Sequence, residues 1–97
     1  MLKLFIEVLQ ERRIMKLKYF AWIAEIIDKR EEILEIPPQI KTIGQLIDFL
    51  STIDPVYADA FKRRKSIKFA INQVLVDEDE LISRNDEIAF FPPMTGG

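Results

Sequence analysis

The chain has 97 residues, of which 48% are hydrophobic and 31% charged, enough apolar material for one modest core and enough charge for solubility, so a single folded domain is expected. The absence of Cys and His removes disulfides, cysteine nucleophiles, Ser-His triads and the common zinc sites, and no metal ligands are expected. A net charge of -2 gives no footprint for nucleic acid, and the longest apolar stretches fall far short of the roughly 20 residues of a membrane span, so neither nucleic acid nor membrane is an expected partner.

Charged residues interrupt the first apolar stretch at Lys3, Glu7, Glu11, Arg12 and Arg13, unlike a secretory signal, and the expected location is cytoplasmic. Residues 16–22 alternate, with Leu17, Tyr19 and Ala21 on one face and Lys18, Phe20 and Trp22 on the other, the period of a strand. Ile23, Ile26 and Ile27 follow at the spacing of a short helix. Lys29-Arg30 opens a loop. Residues 31–36 predict a second strand, hairpinned to the first and stopped by Pro37-Pro38, whose fixed φ and missing amide hydrogens end a ladder.

Thr42 with Gln45 three residues later has the form of a capping box, and Ile43, Leu46, Ile47 and Leu50 form the buried stripe of a helix that Gly44 slightly weakens. Asp54-Pro55 repeats the start signal for a short second helix anchored by Tyr57 and Phe61. It runs into Lys62-Arg63-Arg64-Lys65, expected to be a solvated basic loop. Ile67, Phe69 and Ile71 alternate with Lys68, Ala70 and Asn72, and residues 74–76 form another short strand, with Val74 and Val76 inward and Leu75 outward. Residues 77–80 predict a solvated acidic turn, residues 84–86 another turn, and residues 87–91 a last strand closed by Pro92-Pro93. This order predicts an α+β fold, a β-grasp (ubiquitin-like) mixed sheet with one main helix packed on one face. The expected division is an N-terminal extension at 1–14 with Met15 as the alternative start, a β-grasp domain at 15–93 and a tail at 94–97.

The tail is the chemically distinctive part. Two glycines at a chain end are narrow and conformationally permissive, so Gly96-Gly97 could be threaded into another protein's active site with the terminal carboxylate foremost. A carboxylate becomes an acyl donor only after activation, for example as a mixed anhydride with AMP, after which sulfur can capture it as a thiocarboxylate. An isolated Gly-Gly is more often just a frayed terminus; here it follows directly on a domain of the expected kind. If Ile88 and Phe90 face the core, Phe91 faces out, as do Phe20 beside Lys18 and Leu75 on its strand. Large apolar residues on an outer sheet face mark an interaction surface.

Residues 86–97, Asp-Glu-Ile-Ala-Phe-Phe-Pro-Pro-Met-Thr-Gly-Gly, resemble the C-terminal signature of the MoaD family, the small subunits of molybdopterin synthase, and residues 70–76, Ala-Ile-Asn-Gln-Val-Leu-Val, resemble that family's preceding strand pair. The likeness spans residues 15–97 and is weakest through the middle helices. It implies a ubiquitin-like sulfur carrier, not catalytic alone. An E1-like adenylating enzyme would use ATP to convert Gly97 to a transient acyl-adenylate, with no cofactor stably bound to the chain itself. A sulfur-relay donor would supply the thiocarboxylate sulfur. Gly96 would lend the tail flexibility, and Phe20, Leu75, Phe91, Pro92, Pro93, Met94 and Thr95 would meet the partner, the large synthase subunit in a heterotetramer. Many family members have a basic residue where Ala24 precedes Glu25, so one polar partner contact is expected to be missing here. A carrier for thiamine or tRNA thiolation, or a ubiquitin-like protein modifier, would share the tail chemistry; Phe-Phe-Pro-Pro argues against thiamine. An independent enzyme is disfavoured by the lack of His, Cys and a phosphate-binding Gly loop.

Overall fold

The alternation in the first strand does what its period predicts: Met15, Leu17 and Tyr19 are buried, while Lys16 and Lys18 lie on the opposite face. In the computed structural model, which describes residues 13–93, the elements run β1 (Ile14–Tyr19), α1 (Ala21–Ile27), β2 (Glu31–Glu35), α2 (Ile43–Ile53), α3 (Pro55–Ala60), a 3-10 turn (Phe61–Ser66), β3 (Lys68–Ile71), β4 (Val74–Val76) and β5 (Glu87–Phe91). The five strands form one mixed sheet in the order β2-β1-β5-β3-β4. β1 and β5 are parallel and every other neighbouring pair is antiparallel. The last strand thus enters the middle of the sheet, which is the β-grasp arrangement expected from the element order.

One face of the sheet is covered by helices. Ile43, Leu46, Ile47 and Leu50 of α2, Ile23 and Ile27 of α1, and Tyr57 and Ala60 of α3 join the inward residues of β1, β3 and β5 in one core. Each large side chain buried completely there contributes about 1.5–3 kcal/mol relative to exposure. β1 ends at Tyr19, three residues short of the expected Trp22, because Ala21 takes a positive φ of 54 and turns the chain into α1. That conformation is unfavourable for a residue with a Cβ, and it carries Phe20 out of the ladder. The β3–β4 turn is tight, with Asn72 and Gln73 at φ 50 and 71, the handedness that matches the twist of a hairpin.

Three local expectations are altered by long-range contacts. Thr42 Oγ1 accepts from the Gln45 amide at 3.1 Å, as a cap should, but the Gln45 side chain returns to the Lys41 amide at 2.7 Å, one residue before the amide a capping box would reach. The amides of Ile43 and Gly44 are instead satisfied by the carbonyls of Glu80 and Glu78. The 62–65 run is a 3-10 turn that is exposed as expected at Lys62, Arg63 and Lys65, but Arg64 is committed: it donates to Glu78 at 2.5 Å, to Asp48 at 2.7 Å and to the Gly44 carbonyl at 3.1 Å. The acidic 77–80 turn is correspondingly half committed, since Glu78 supplies both a carboxylate and a carbonyl. Gly44 has a reason to be glycine, because a Cβ there would lie 3.0 Å from the Glu78 carboxylate and 3.1 Å from the Arg64 guanidinium. Val74, expected inward with Val76, is 63% exposed, because β4 is a three-residue edge strand and Val74 sits at its outer end.

β1 opens at Ile14, one residue before the expected boundary, and Arg13 ahead of it is integral to the domain. Its guanidinium donates to the carbonyls of Pro37, Ile40 and Ile82 at 2.9, 2.6 and 3.1 Å, joining two loops that lie far apart in sequence. The rest of the expected N-terminal extension lies outside the described residues. Replacing Arg13 by Ala removes a donor shared by three carbonyls, of which, among the described residues, only that of Pro37 keeps another donor, the Ile40 amide, so urea unfolding should show a loss of about 1–3 kcal/mol, with the denaturant dependence unchanged.

Candidate functional site

The strand that leads to the tail is fixed from both sides and from below. β5 is hydrogen-bonded to β1 and β3, and the Phe20 amide adds a bond to the Phe90 carbonyl at 3.1 Å. Phe90 has no exposed surface; it stacks on Tyr19 with centroids 5.7 Å apart and meets Phe61 and Phe69 edge-on at 5.3 and 6.0 Å. Aromatic packing of this kind adds to the burial itself. The sheet therefore delivers residue 91 to the surface at one fixed place.

Beneath this box, the hydroxyls of Tyr19 and Tyr57 both donate to Oε2 of Glu32, at 2.7 and 2.5 Å, and Lys29 donates to Oε1 at 3.0 Å. One carboxylate thus ties β1, β2 and α3 together. Burial opposes its ionisation, but the hydrogen bonds from Tyr57, Tyr19 and Lys29 outweigh that penalty and hold the Glu32 carboxyl below its ordinary value. Burial, reinforced by the neighbouring carboxylate, pushes both tyrosines above the ordinary phenol value, so they remain donors throughout the physiological range.

The outer face of the sheet carries the candidate docking residues. Cross-strand register places Lys18, Ala89, Ala70 and Leu75 in one row, with Phe91 opposite Lys68 in the next. Leu75 is 67% exposed and Phe20 46% exposed. Phe91 faces outward as its parity requires but is half-buried rather than open. Pro92 is half-buried and Pro93 exposed. Met94, Thr95, Gly96 and Gly97 lie outside the described residues. The apolar part of the face, over β3, β4 and β5, adjoins a charged part over β1 and β2, where Lys18 pairs with Glu87 at 3.0 Å and Lys16 with Glu31 at 3.1 Å.

Two further exposed apolar side chains, Ile14 and the 67%-exposed Ile33, lie on this face and were not singled out from sequence. A signal existed: Ile33 and Leu34 are adjacent in a strand, so one of them had to face outward. Beside Phe20, an open groove of about 690 Å³ runs between the end of β1, α1 and the start of β2. Ala24 lines it with charges of both signs, including Glu25, Asp28, Lys29 and Arg30. Among the described residues, no group of three or more acidic side chains could hold a metal ion, and no helix is long and apolar enough to cross a membrane.

A central parallel β1–β5 pair, antiparallel flanks and one main helix define a ubiquitin-like β-grasp protein. The chain belongs to the ThiS family, whose model matches residues 17–97. It is 39% identical over 82 residues to the molybdopterin synthase sulfur carrier subunit of Homo sapiens, covering 81% of this chain and 89% of that one. The Escherichia coli (strain K12) protein of the same name is 31% identical over 83 residues, covering 86% of this chain and 99% of that one. Among solved structures, SAMP1 from Haloferax volcanii superposes with a TM-score of 0.66 at 27% identity, covering 87% of this chain and 99% of that chain. A Pyrococcus furiosus structure described as a putative molybdopterin converting factor, subunit 1, superposes with a TM-score of 0.68 at 24% identity, covering 84% of this chain and 99% of that chain, and supports the fold alone.

Because the folded-state pKa of Glu32 is depressed, the stability it contributes is complete above the ordinary carboxylate pKa and is lost as pH falls through the lower folded value. Glu32→Gln should be less stable than the parent by about 1–3 kcal/mol at neutral pH, since two tyrosine hydroxyls lose a charged acceptor. Urea titrations carried down to acid pH should show that gap narrowing.

Proposed function

We propose that this chain is a sulfur carrier whose terminal Gly97 carboxylate is adenylated, converted to a thiocarboxylate and used as the sulfur donor in molybdopterin synthesis. The observation that carries this reading is that the family match runs through residue 97 and includes the Gly96-Gly97 end. The names of the human and Escherichia coli relatives support the sulfur-carrier role and its assignment to molybdopterin synthase. The fixed β5 terminus supports it physically, since a tail that must reach into a partner gains from a rigid base.

In an E1-like activating enzyme, a Gly97 carboxylate oxygen attacks the α-phosphorus of ATP, pyrophosphate leaves, and an acyl-adenylate forms. Sulfur at the sulfide level, supplied by a relay donor, then attacks the carbonyl carbon. The bond from that carbon to the AMP oxygen breaks, AMP leaves with the electron pair, and a thiocarboxylate remains. ATP is consumed on the enzyme and the carrier holds no resident cofactor. In the large synthase subunit the thiocarboxylate sulfur attacks an electrophilic carbon of the pterin precursor, a carbon–oxygen bond there breaks with its electron pair going to oxygen, and water cleaves the resulting acyl–sulfur bond, leaving sulfur on the product and a carboxylate on Gly97. Gly96 keeps the tail narrow, Pro92-Pro93 stiffen the spacer, and Met94 and Thr95 line the channel contact. Phe20, Leu75 and Phe91 belong to the docking surface of a heterotetramer. Catalytic acids and bases are the partner's, which makes this chain a subunit without activity of its own.

Deleting Gly97, or appending residues to it, should abolish sulfur transfer to the pterin while leaving the thermal unfolding curve unchanged; full molybdopterin synthesis by the deletion would refute the assignment. Mass spectrometry of the chain from its host should show an oxygen-for-sulfur exchange at Gly97, whereas lysine-linked adducts would indicate a protein modifier instead. For the docking face, Leu75→Glu removes an exposed side chain and should change stability by no more than about 0.5 kcal/mol. Its affinity for the large subunit, measured by titration calorimetry, should fall about tenfold or more.

A further inference from the structure

We infer a second binding surface, at the end of the sheet opposite the tail, that takes an acidic peptide segment of a partner protein. It is a concavity of about 470 Å³ formed where Arg13 precedes β1, Pro38 and Lys41 precede α2, and residues 81–84 precede β5. That volume is within the range of sites that hold a ligand of several residues' side chains rather than a single small ion. Arg13, Lys41 and Arg84 all line it, and no carboxylate does.

The local charge here is opposite in sign to that of the whole molecule, whose net charge is -2. Arg30, Arg63, Lys65 and Lys68 have no ion pair among the described residues but lie outside this concavity, whereas Lys16, Lys18, Lys29, Lys62 and Arg64 each lie within ion-pair distance of a carboxylate. Among the described residues, the three cations of this concavity have no such partner. Arg13 is anchored, but by neutral carbonyls, which fix the guanidinium without cancelling its charge. Asp86, in the adjoining turn, accepts from the Ser83 amide at 2.7 Å and from Asn72 at 3.0 Å and makes no ion pair with Arg13, Lys41 or Arg84.

The floor distinguishes a peptide from a simple anion. Leu81 is 65% exposed at the rim and Pro38 lines the wall, so the concavity offers apolar contact beside its charges. An inorganic anion has nothing to place there, whereas a segment with carboxylates flanking an aliphatic side chain satisfies both. Six strand residues separate this end from Phe20, roughly 20 Å at the rise of a β-strand. A partner held here therefore leaves the outer face and the tail free, so this surface is independent of the sulfur-carrier assignment.

Fluorescence anisotropy with a fluorescein-labelled Glu-Glu-Leu-Glu-Glu-Leu peptide, and its Gln counterpart as control, tests this on the full chain. The acidic peptide should bind saturably and the Gln peptide should not. Affinity should fall about tenfold or more in the double variant Lys41→Glu, Arg84→Glu, and less than about twofold in Lys62→Glu, Lys65→Glu, which changes net charge equally elsewhere. Circular dichroism melting should show both double variants folded. Equal losses in the two, or no saturable binding, overturn the site. Competition by inorganic pyrophosphate at the peptide's own concentration makes it a small-anion site and overturns the peptide assignment. Tighter peptide binding by Glu7→Gln, Glu11→Gln in the full chain would mean that the chain's own N-terminal acids occupy the surface, which also overturns it.

Discussion

The pairing of β1 with β5 is the interaction on which the rest of this structure depends. It joins the two ends of the described chain in the centre of the sheet, in parallel, and it buries Tyr19 against Phe90. Parallel neighbours cannot be linked by a short turn, so everything between them must be accommodated as a crossover: the β2 hairpin arm, the helical layer and the β3–β4 hairpin. The helical layer lies under this pair and completes the burial of Leu17 and Ile88, which face that side. The outer face is left open by the same geometry, since no described element returns to it.

The functional division of the molecule follows. The core face contains one ionised group of consequence, Glu32, and uses it for cohesion rather than chemistry, receiving two tyrosine hydroxyls and a lysine. The outer face contains small residues at its centre, Ala70 and Ala89, with larger apolar groups around them. Small central side chains let another surface approach the sheet closely. The reactive group proposed for this protein is on neither face but at residue 97, and in that proposal the folded domain serves to hold the start of that segment still.

Much of this was readable in sequence because it is local. Alternation at Met15, Leu17 and Tyr19 and at Ile88 and Phe90 is a property of single strands, and the caps at Thr42 and Asp54 involve amides within three residues. The outward parity of Phe20, Leu75 and Phe91 also came from local period. What could not be read depended on partners distant in the chain. Arg64 looked like one cation in a basic run until Glu78, Asp48 and the Gly44 carbonyl were brought around it by the docking of the turn on α2. Val74 has the same composition-level signal as Val76, and only its place at the outer end of an edge strand exposes it. The degree of cover over Phe91 likewise depends on what its neighbours across the sheet happen to be.

The position of β5 also bears on how the molecule is made. A strand that belongs at the middle of the sheet is the last to be synthesised, and until it arrives β1 and β3 have no common neighbour and Phe90's aromatic box stands open. The native sheet can therefore close only once β5 has been made. A product truncated before β5 would lack the central strand and be recognisable as unfolded. Quality control of the fold would then remove chains that stop before β5, whereas a loss confined to the residues after Phe91 would escape it.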